Sequence, residues 1–361
     1  MLSGMWGNNI KISIFGESHG SAIGINIDSL PSGFALDLDE IMREMKRRAP
    51  GKNNLSTLRK EDDEPEILSG YFEGRTTGTP LCAIIKNNDN KSKDYSKIKN
   101  TIRPGHGDYP GFVKYNGFND YRGGGHFSGR ITAPLVFAGS ICKQILRKEK
   151  IEIVAHIQSI GEIKDKSFLD YDLDKELINS LKYEEFPLLN KNLEDKMKDE
   201  ILNAKKEGDS VGGVIECMIL GVKAGIGSPF FDSVESTLAH LIFSVPAVKG
   251  IEFGRGFDIT KIKGSKANDE YYLDGKNIKT KTNNNGGISG GITNGMPIIF
   301  RVAIKPTPSI YKEQGTVDIR TMEETTLKIE GRHDPCIVQR ALPVIEGVSA
   351  IGILDLIKIV K

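Results

Sequence analysis

The sequence is short of cysteine and tryptophan, has almost no net charge and contains no long apolar run. Each shortage removes a class of protein. Its four cysteines, Cys82, Cys142, Cys217 and Cys336, lie far apart, with no CxxC pair and no Cys/His metal spacing. Neither a disulfide framework nor a zinc module is suggested, and buried reduced thiols are expected. No stretch approaches the ~18 apolar residues of a membrane span. The opening residues MLSGMWGNNIKISIFGESHG lack the basic region and apolar stretch of a secretory leader, so the expected location is cytoplasmic. Lys and Arg total 49 against 48 Asp and Glu. No global field then draws the chain to nucleic acid or a membrane surface, neither of which is an expected partner, and any anion site must be a local cluster.

What the sequence has in excess is glycine, 40 residues gathered in short clusters. With 38% hydrophobic and 27% charged residues the chain can bury a core, and one domain over residues 1–361 is the expected organisation. Ile10, Ile12 and Ile14, then Ile23, Ile25 and Ile27, alternate with other residues and predict two half-buried strands paired as a hairpin, with residues 17–20 at its tip. Asp37 reads as the cap of a helix that carries Asp39 and Glu40 in its first turn and Lys46, Arg47 and Arg48 in its last, stopped by Pro50 and Gly51. Helices are also expected over 131–148, 193–206, 232–243 and 344–360, and strands over 151–160, 211–222 and 296–305. This mixture lacks a strict βαβ rhythm, so the fold class is α+β, with helices layered against antiparallel sheet.

Four of the six histidines sit in glycine-rich or turn-rich segments: His19 in GESHG, His106 in RPGHGDYPG, His126 in RGGGHFSG and His333 in GRHDPC. Arginines fall in the same places, and guanidinium forks grip phosphate and carboxylate bidentately. Together they point to a site for a multiply anionic small molecule. Taken singly, each histidine reads equally as a turn residue, and Arg47 and Arg48 as partners of their helix dipole. His106 with Asp108 and His333 with Asp334 could be metal ligands, but no second acidic cluster accompanies them, so no metal site is assigned. RGGG is single, unlike repeated RNA-binding elements, and neither it nor GGISGG has the spacing of a dinucleotide fingerprint.

In order and spacing these segments resemble the chorismate synthase family. The matching motifs are GESHG (16–20), RRAPG (47–51), RPGHGDYPG (103–111), YRGGGHFSGR (121–130), AVKGIEFGRGF (247–257), GGISGG (286–291), KPTPS (305–309) and GRHDPC (331–336), and they span nearly the whole chain. The resemblance implies a β-α-β sandwich, a homotetramer, and a lyase of the shikimate pathway to aromatic amino acids. The reaction is the anti-1,4-elimination of phosphate from 5-enolpyruvylshikimate 3-phosphate, using reduced FMN without net redox change. It implies a monofunctional enzyme supplied by an external flavin reductant or reductase. A catalytically silent binding protein would lack the motif histidines and aspartate, and a net flavin oxidoreductase would need a nicotinamide site, which is not found.

Carried over by motif, His19, His106 and Asp334 are the catalytic residues. Ser18, His19, Arg48, Arg130 and Arg332 would contact the substrate. His126, Ser128, Ala247, Gly290, Lys305, Thr307, Ser309 and Arg332 would contact FMN, and NADP, if bound, would meet Arg48. The chain departs from the commoner family pattern at His126, where many members have arginine, and at Asn54 and Pro308.

Overall fold

The computed structural model describes residues 4–51, 55–56, 63–87, 99–170, 175–329 and 333–357. The expected hairpin is present as Lys11–Gly16 paired antiparallel with Ala22–Asp28, with Ile12 opposite Ile27 and Ile14 opposite Ile25. It forms the centre of a five-stranded antiparallel sheet completed by Met5–Trp6, Leu81–Lys86 and Pro65–Ser69. A second antiparallel sheet of five strands runs in the order Val248–Phe253, Ile298–Ile304, Gly213–Leu220, Glu152–Ile160, Ile163–Lys164.

Helices fill the space between the sheets, which gives the α+β sandwich. Thr132–Lys148 packs on Ala22–Asp28 and Leu81–Lys86 on one side and on Glu152–Ile160 on the other, while Val338–Ile357 packs on the second sheet. These two helices cross where Gly139 meets Gly347, and a Cβ on Gly139 would overlap the partner backbone. Only glycine allows so close an approach. One apolar core runs through both sheets and the helices between them.

Leu38–Arg48 begins as expected, with Asp37 accepting a hydrogen bond from the Glu40 amide at 2.9 Å. The strand expected over 151–160 is present as Glu152–Ile160 and is buried on both faces after its first residue, because helices cover one face and the segment around Phe168 covers the other. One expectation is corrected. The last helix begins at Val338, not Val344, and runs through Pro343. Burial of Leu342, Val344 and Ile345 holds its first turns together despite the hydrogen bond that Pro343 cannot donate. No helix among the described residues is long and apolar enough to cross a membrane.

The outer face of the second sheet holds a buried imidazole between two carboxylates. His156 Nε2 lies 2.9 Å from Glu216 Oε2, and Nδ1 lies 3.6 Å from Asp165 Oδ2. Glu216 also accepts from Ser167 Oγ and the Phe168 amide, both at 2.6 Å. Burial alone would lower the His156 pKa, but Asp165 and Glu216 raise it above its ordinary 6.5. Through Glu216, which bonds both the ring and the Ser167–Phe168 turn, the imidazole ties that segment to the sheet.

A group whose pKa is raised on folding contributes its stability in full below its unfolded value and loses it as pH rises through the folded value. Thermal unfolding followed by circular dichroism is therefore expected to show a melting temperature that falls as pH is raised above about 6.5. In His156→Phe this alkaline decline should be absent.

Candidate active site

The hairpin tip is held shut by Asn87, whose Nδ2 donates to Glu17 O at 3.1 Å and Gly20 O at 2.9 Å. The turn buries Ser18 and His19. The Ser18 amide donates to Gly125 O at 3.1 Å, so the turn docks on the glycine-rich segment 122–127. Gly123, Gly124 and Gly125 have φ of 59°, 84° and 52°, a backbone that disfavours any side chain. Space also forbids one. A Cβ on Gly123 would overlap the His19 imidazole, and one on Gly124 would come within 2.9 Å of His106 Cε1. Two glycines are thus the spacer between two imidazoles. Ser18 Oγ, beside Gly123, is buried without a hydrogen-bond partner among the described residues, a hydroxyl open to a ligand.

His106 is oriented by Asp108, whose Oδ1 lies 2.7 Å from Nδ1. A carboxylate only accepts, so the Nδ1 proton sits in this bond and Nε2 lies on the side of Gly124. Arg103 clasps the same carboxylate with Nε and Nη2, each at 2.7 Å. Burial alone would raise the Asp108 pKa, but the hydrogen bonds from His106 and Arg103 hold it far below the ordinary carboxylate value. The Lys305 ammonium donates to Gly105 O, which joins the 305–309 segment to this loop. Its pKa is lowered by burial and by Lys249.

A second wall is built on a buried carboxylate. Asp63 forms ion pairs with both Arg48 and Arg130. Arg48 Nε also donates to Thr132 Oγ1 at 3.2 Å, and Arg130 Nε to Asn87 Oδ1 at 3.1 Å. Burial opposes ionisation of Asp63, and the two guanidinium charges outweigh it and keep its pKa low. Asp334 pairs with Arg340, whose Nε donates to the Arg48 carbonyl at 3.0 Å. The wall thereby continues from Arg130 to Asp334.

Of the residues expected from sequence, Ser18, His19, His106, Lys305 and Asp334 are linked through these contacts to Arg48 and Arg130. His126 Nδ1 meets Gly16 O at 2.9 Å, and Ser128 Oγ accepts from the Arg130 amide at 3.3 Å, so both flank the hairpin tip. Ala247 O accepts from the Lys305 amide at 2.9 Å. Ser309 is buried, and Thr307 Oγ1 is enclosed without a partner among the described residues. A cation and, two residues further along the segment, an uncommitted buried hydroxyl are donors of the kind that fit a flavin phosphate or ribityl chain. Gly290 is not brought to this cluster by any described contact: it is exposed at the turn between Ile288–Ser289 and Ile292–Thr293. Arg332 and Asn54 lie outside the described residues.

Sequence reasoning missed Asp63, Asn87 and Arg340 as organisers and gave Asp108 only a metal reading. No group of three or more His, Cys, Asp or Glu among the described residues could hold a metal ion. Asp108 instead serves His106 and Arg103.

Comparison with known proteins is consistent along the chain. The chorismate synthase family model matches residues 10–357. The chorismate synthases of Thermococcus kodakarensis and Pyrococcus abyssi are 47% and 48% identical over 352 residues, covering 97% of this chain and 96% of each relative. A crystal structure of a chorismate synthase superposes with a TM-score of 0.76 at 30% identity, covering 97% of this chain and 92% of the other.

Removing the shared carboxylate leaves two buried guanidinium groups facing each other. Asp63→Ala is expected to lower stability by about 3–5 kcal/mol in urea unfolding, while Arg48→Met alone, which leaves the Asp63–Arg130 pair intact, loses less than Asp63→Asn or than the two changes combined.

Proposed function

The chain belongs to the chorismate synthase family, and from that premise we propose how it converts 5-enolpyruvylshikimate 3-phosphate to chorismate. His19, His106 and Asp334 divide the acid–base work of an anti-1,4-elimination, in a site walled by Arg48 and Arg130. The observation that carries this assignment is the pair of imidazoles held on either side of Gly123 and Gly124. Such spacing suits a site in which one ring faces the substrate phosphate and the other faces the cofactor.

The reaction breaks the C3–O bond to phosphate and removes a hydrogen from C6 that is not acidic. Reduced FMN, when bound, would supply the electron-rich chemistry that this elimination needs, with no net redox change. The protein's own residues supply charge and protons. His19, as imidazolium, protonates and stabilises the departing phosphate, and Ser18 Oγ gives it a further hydrogen bond. Arg48 and Arg130 grip the substrate's anionic groups while Asp63 fixes their forks. His106, steered by Asp108, places positive charge beside the cofactor. Asp334, held by Arg340, relays the proton that originates at C6 so that it replaces the one His19 gives to phosphate, and no net proton leaves the site.

His126, Ser128, Ala247, Gly290, Lys305, Thr307, Ser309 and Arg332 are assigned to FMN. The enzyme is monofunctional and depends on an external flavin reductant or reductase, with Arg48 the contact for any NADP. It works as a cytoplasmic homotetramer.

Anaerobic incubation with 5-enolpyruvylshikimate 3-phosphate and chemically reduced FMN should release phosphate and chorismate in equal amounts, catalytic in flavin. Oxidised FMN with NADPH alone should give no product; turnover there would end the assignment as monofunctional. His106→Ala and Asp334→Ala should each lose about 10²-fold or more in rate, and near wild-type rates would remove them from these roles.

A further inference from the structure

His333 immediately precedes Asp334 and takes no part in the steps above. Its ring meets the Tyr311 ring edge-on, with centroids 6.0 Å apart. Its Nε2 is shut off from water and has no hydrogen-bond partner among the described residues. Arg103, which clasps Asp108 beside His106, bears on the ring's charge. Native proteins seldom leave a buried polar atom unpaired, because its desolvation is uncompensated. When such an atom sits among the residues of a ligand site, a ligand is the natural partner.

We propose that His333 is a further binding residue of this site, its Nε2–H donating a hydrogen bond to a phosphate or carboxylate oxyanion of the bound ligand. This rests on the reading of the site given above and adds a contact to it. Burial, then the Arg103 charge, drives the His333 pKa down to about 4, against the opposing pull of Asp334. The ring is therefore uncharged at neutral pH. An uncharged imidazole escapes repulsion from Arg103 and still offers one N–H. Oxyanions only accept, so their arrival selects the tautomer with the proton on Nε2. Charge comes from the arginines, and His333 contributes direction.

The proposal is tested by calorimetric titration of the full chain with 5-enolpyruvylshikimate 3-phosphate alone and with oxidised FMN alone, in wild type, His333→Phe and His333→Gln. Phe keeps the ring and loses the donor; the Gln amide nitrogen reaches about as far as Nε2. His333→Phe should weaken one ligand by about 10- to 100-fold, and His333→Gln should recover most of that loss. A loss confined to the phosphorylated substrate assigns the oxyanion to it, and a loss confined to FMN assigns it to the flavin. Binding by His333→Phe equal to wild type, or a Gln variant as weak as Phe, overturns the proposal. Should either variant fold poorly by its melting temperature, the ¹⁵N resonance of the wild-type His333 Nε2 decides: it must shift when ligand is added, and a constant resonance overturns the contact. Wild-type turnover in the anaerobic assay tests the parent reading separately, so an active wild type with unaffected His333→Phe binding fails only this inference.

Discussion

A carboxylate buried in an apolar helix must find cations, and Glu346 finds two. It lies in Val338–Ile357, beside the glycine crossing, and pairs with Arg47 and Lys143 while also accepting from the Ala155 amide at 3.1 Å. Burial alone would raise its pKa, but Arg47 and Lys143 hold it below the ordinary value. Glu44 bonds the same two cations. One ionised group thereby joins three helices and a strand, and an unpaired charge there would cost far more than a surface ion pair. The end of Leu38–Arg48 is fixed in rotation as a result.

Fixing that rotation matters because neighbouring residues on a helix point about 100° apart. With Arg47 committed to Glu346, Arg48 is turned toward Asp63, and its carbonyl is presented to Arg340. Arg340 in turn pairs with Asp334. The core charge cluster and the wall that carries Asp63 and Asp334 are therefore successive links of one network. A change at Glu346 would reach Asp334 through backbone placement, without touching a ligand.

Much of this was legible where local physics decides. Alternating isoleucines specified the hairpin, Asp37 with Glu40 specified a helix start, and the glycine clusters marked the site because only glycine tolerates φ near 59° and 84° beside two rings. What sequence could not give is partnership across the fold. Asp63 belongs to the acidic run Glu61–Glu64, which reads as a solvated surface, yet its side chain is fully buried between two arginines. Glu346 carried a signal, one of two acids in an apolar helix, but no local rule names Arg47 and Lys143. Burial of Glu152–Ile160 on both faces depends likewise on elements far away in the chain. Gly290 is the reverse case, a motif residue that the described contacts leave apart from the cluster.

The near-neutral composition and the anionic substrate are reconciled by local accounting. Around the site, Arg48, Arg103, Arg130, Lys305 and Arg340 face Asp63, Asp108 and Asp334, five cations against three carboxylates. The carboxylates do not cancel the site's field; they fix the direction of guanidinium groups that would otherwise repel one another. The surplus of positive charge remains for a ligand with a phosphate and two carboxylates, in a partly buried setting where each pair is worth more than in water. Rigid cations preorganised by buried carboxylates thus give a chain with no overall field a local surplus of positive charge of the kind that suits a ligand with three anionic groups.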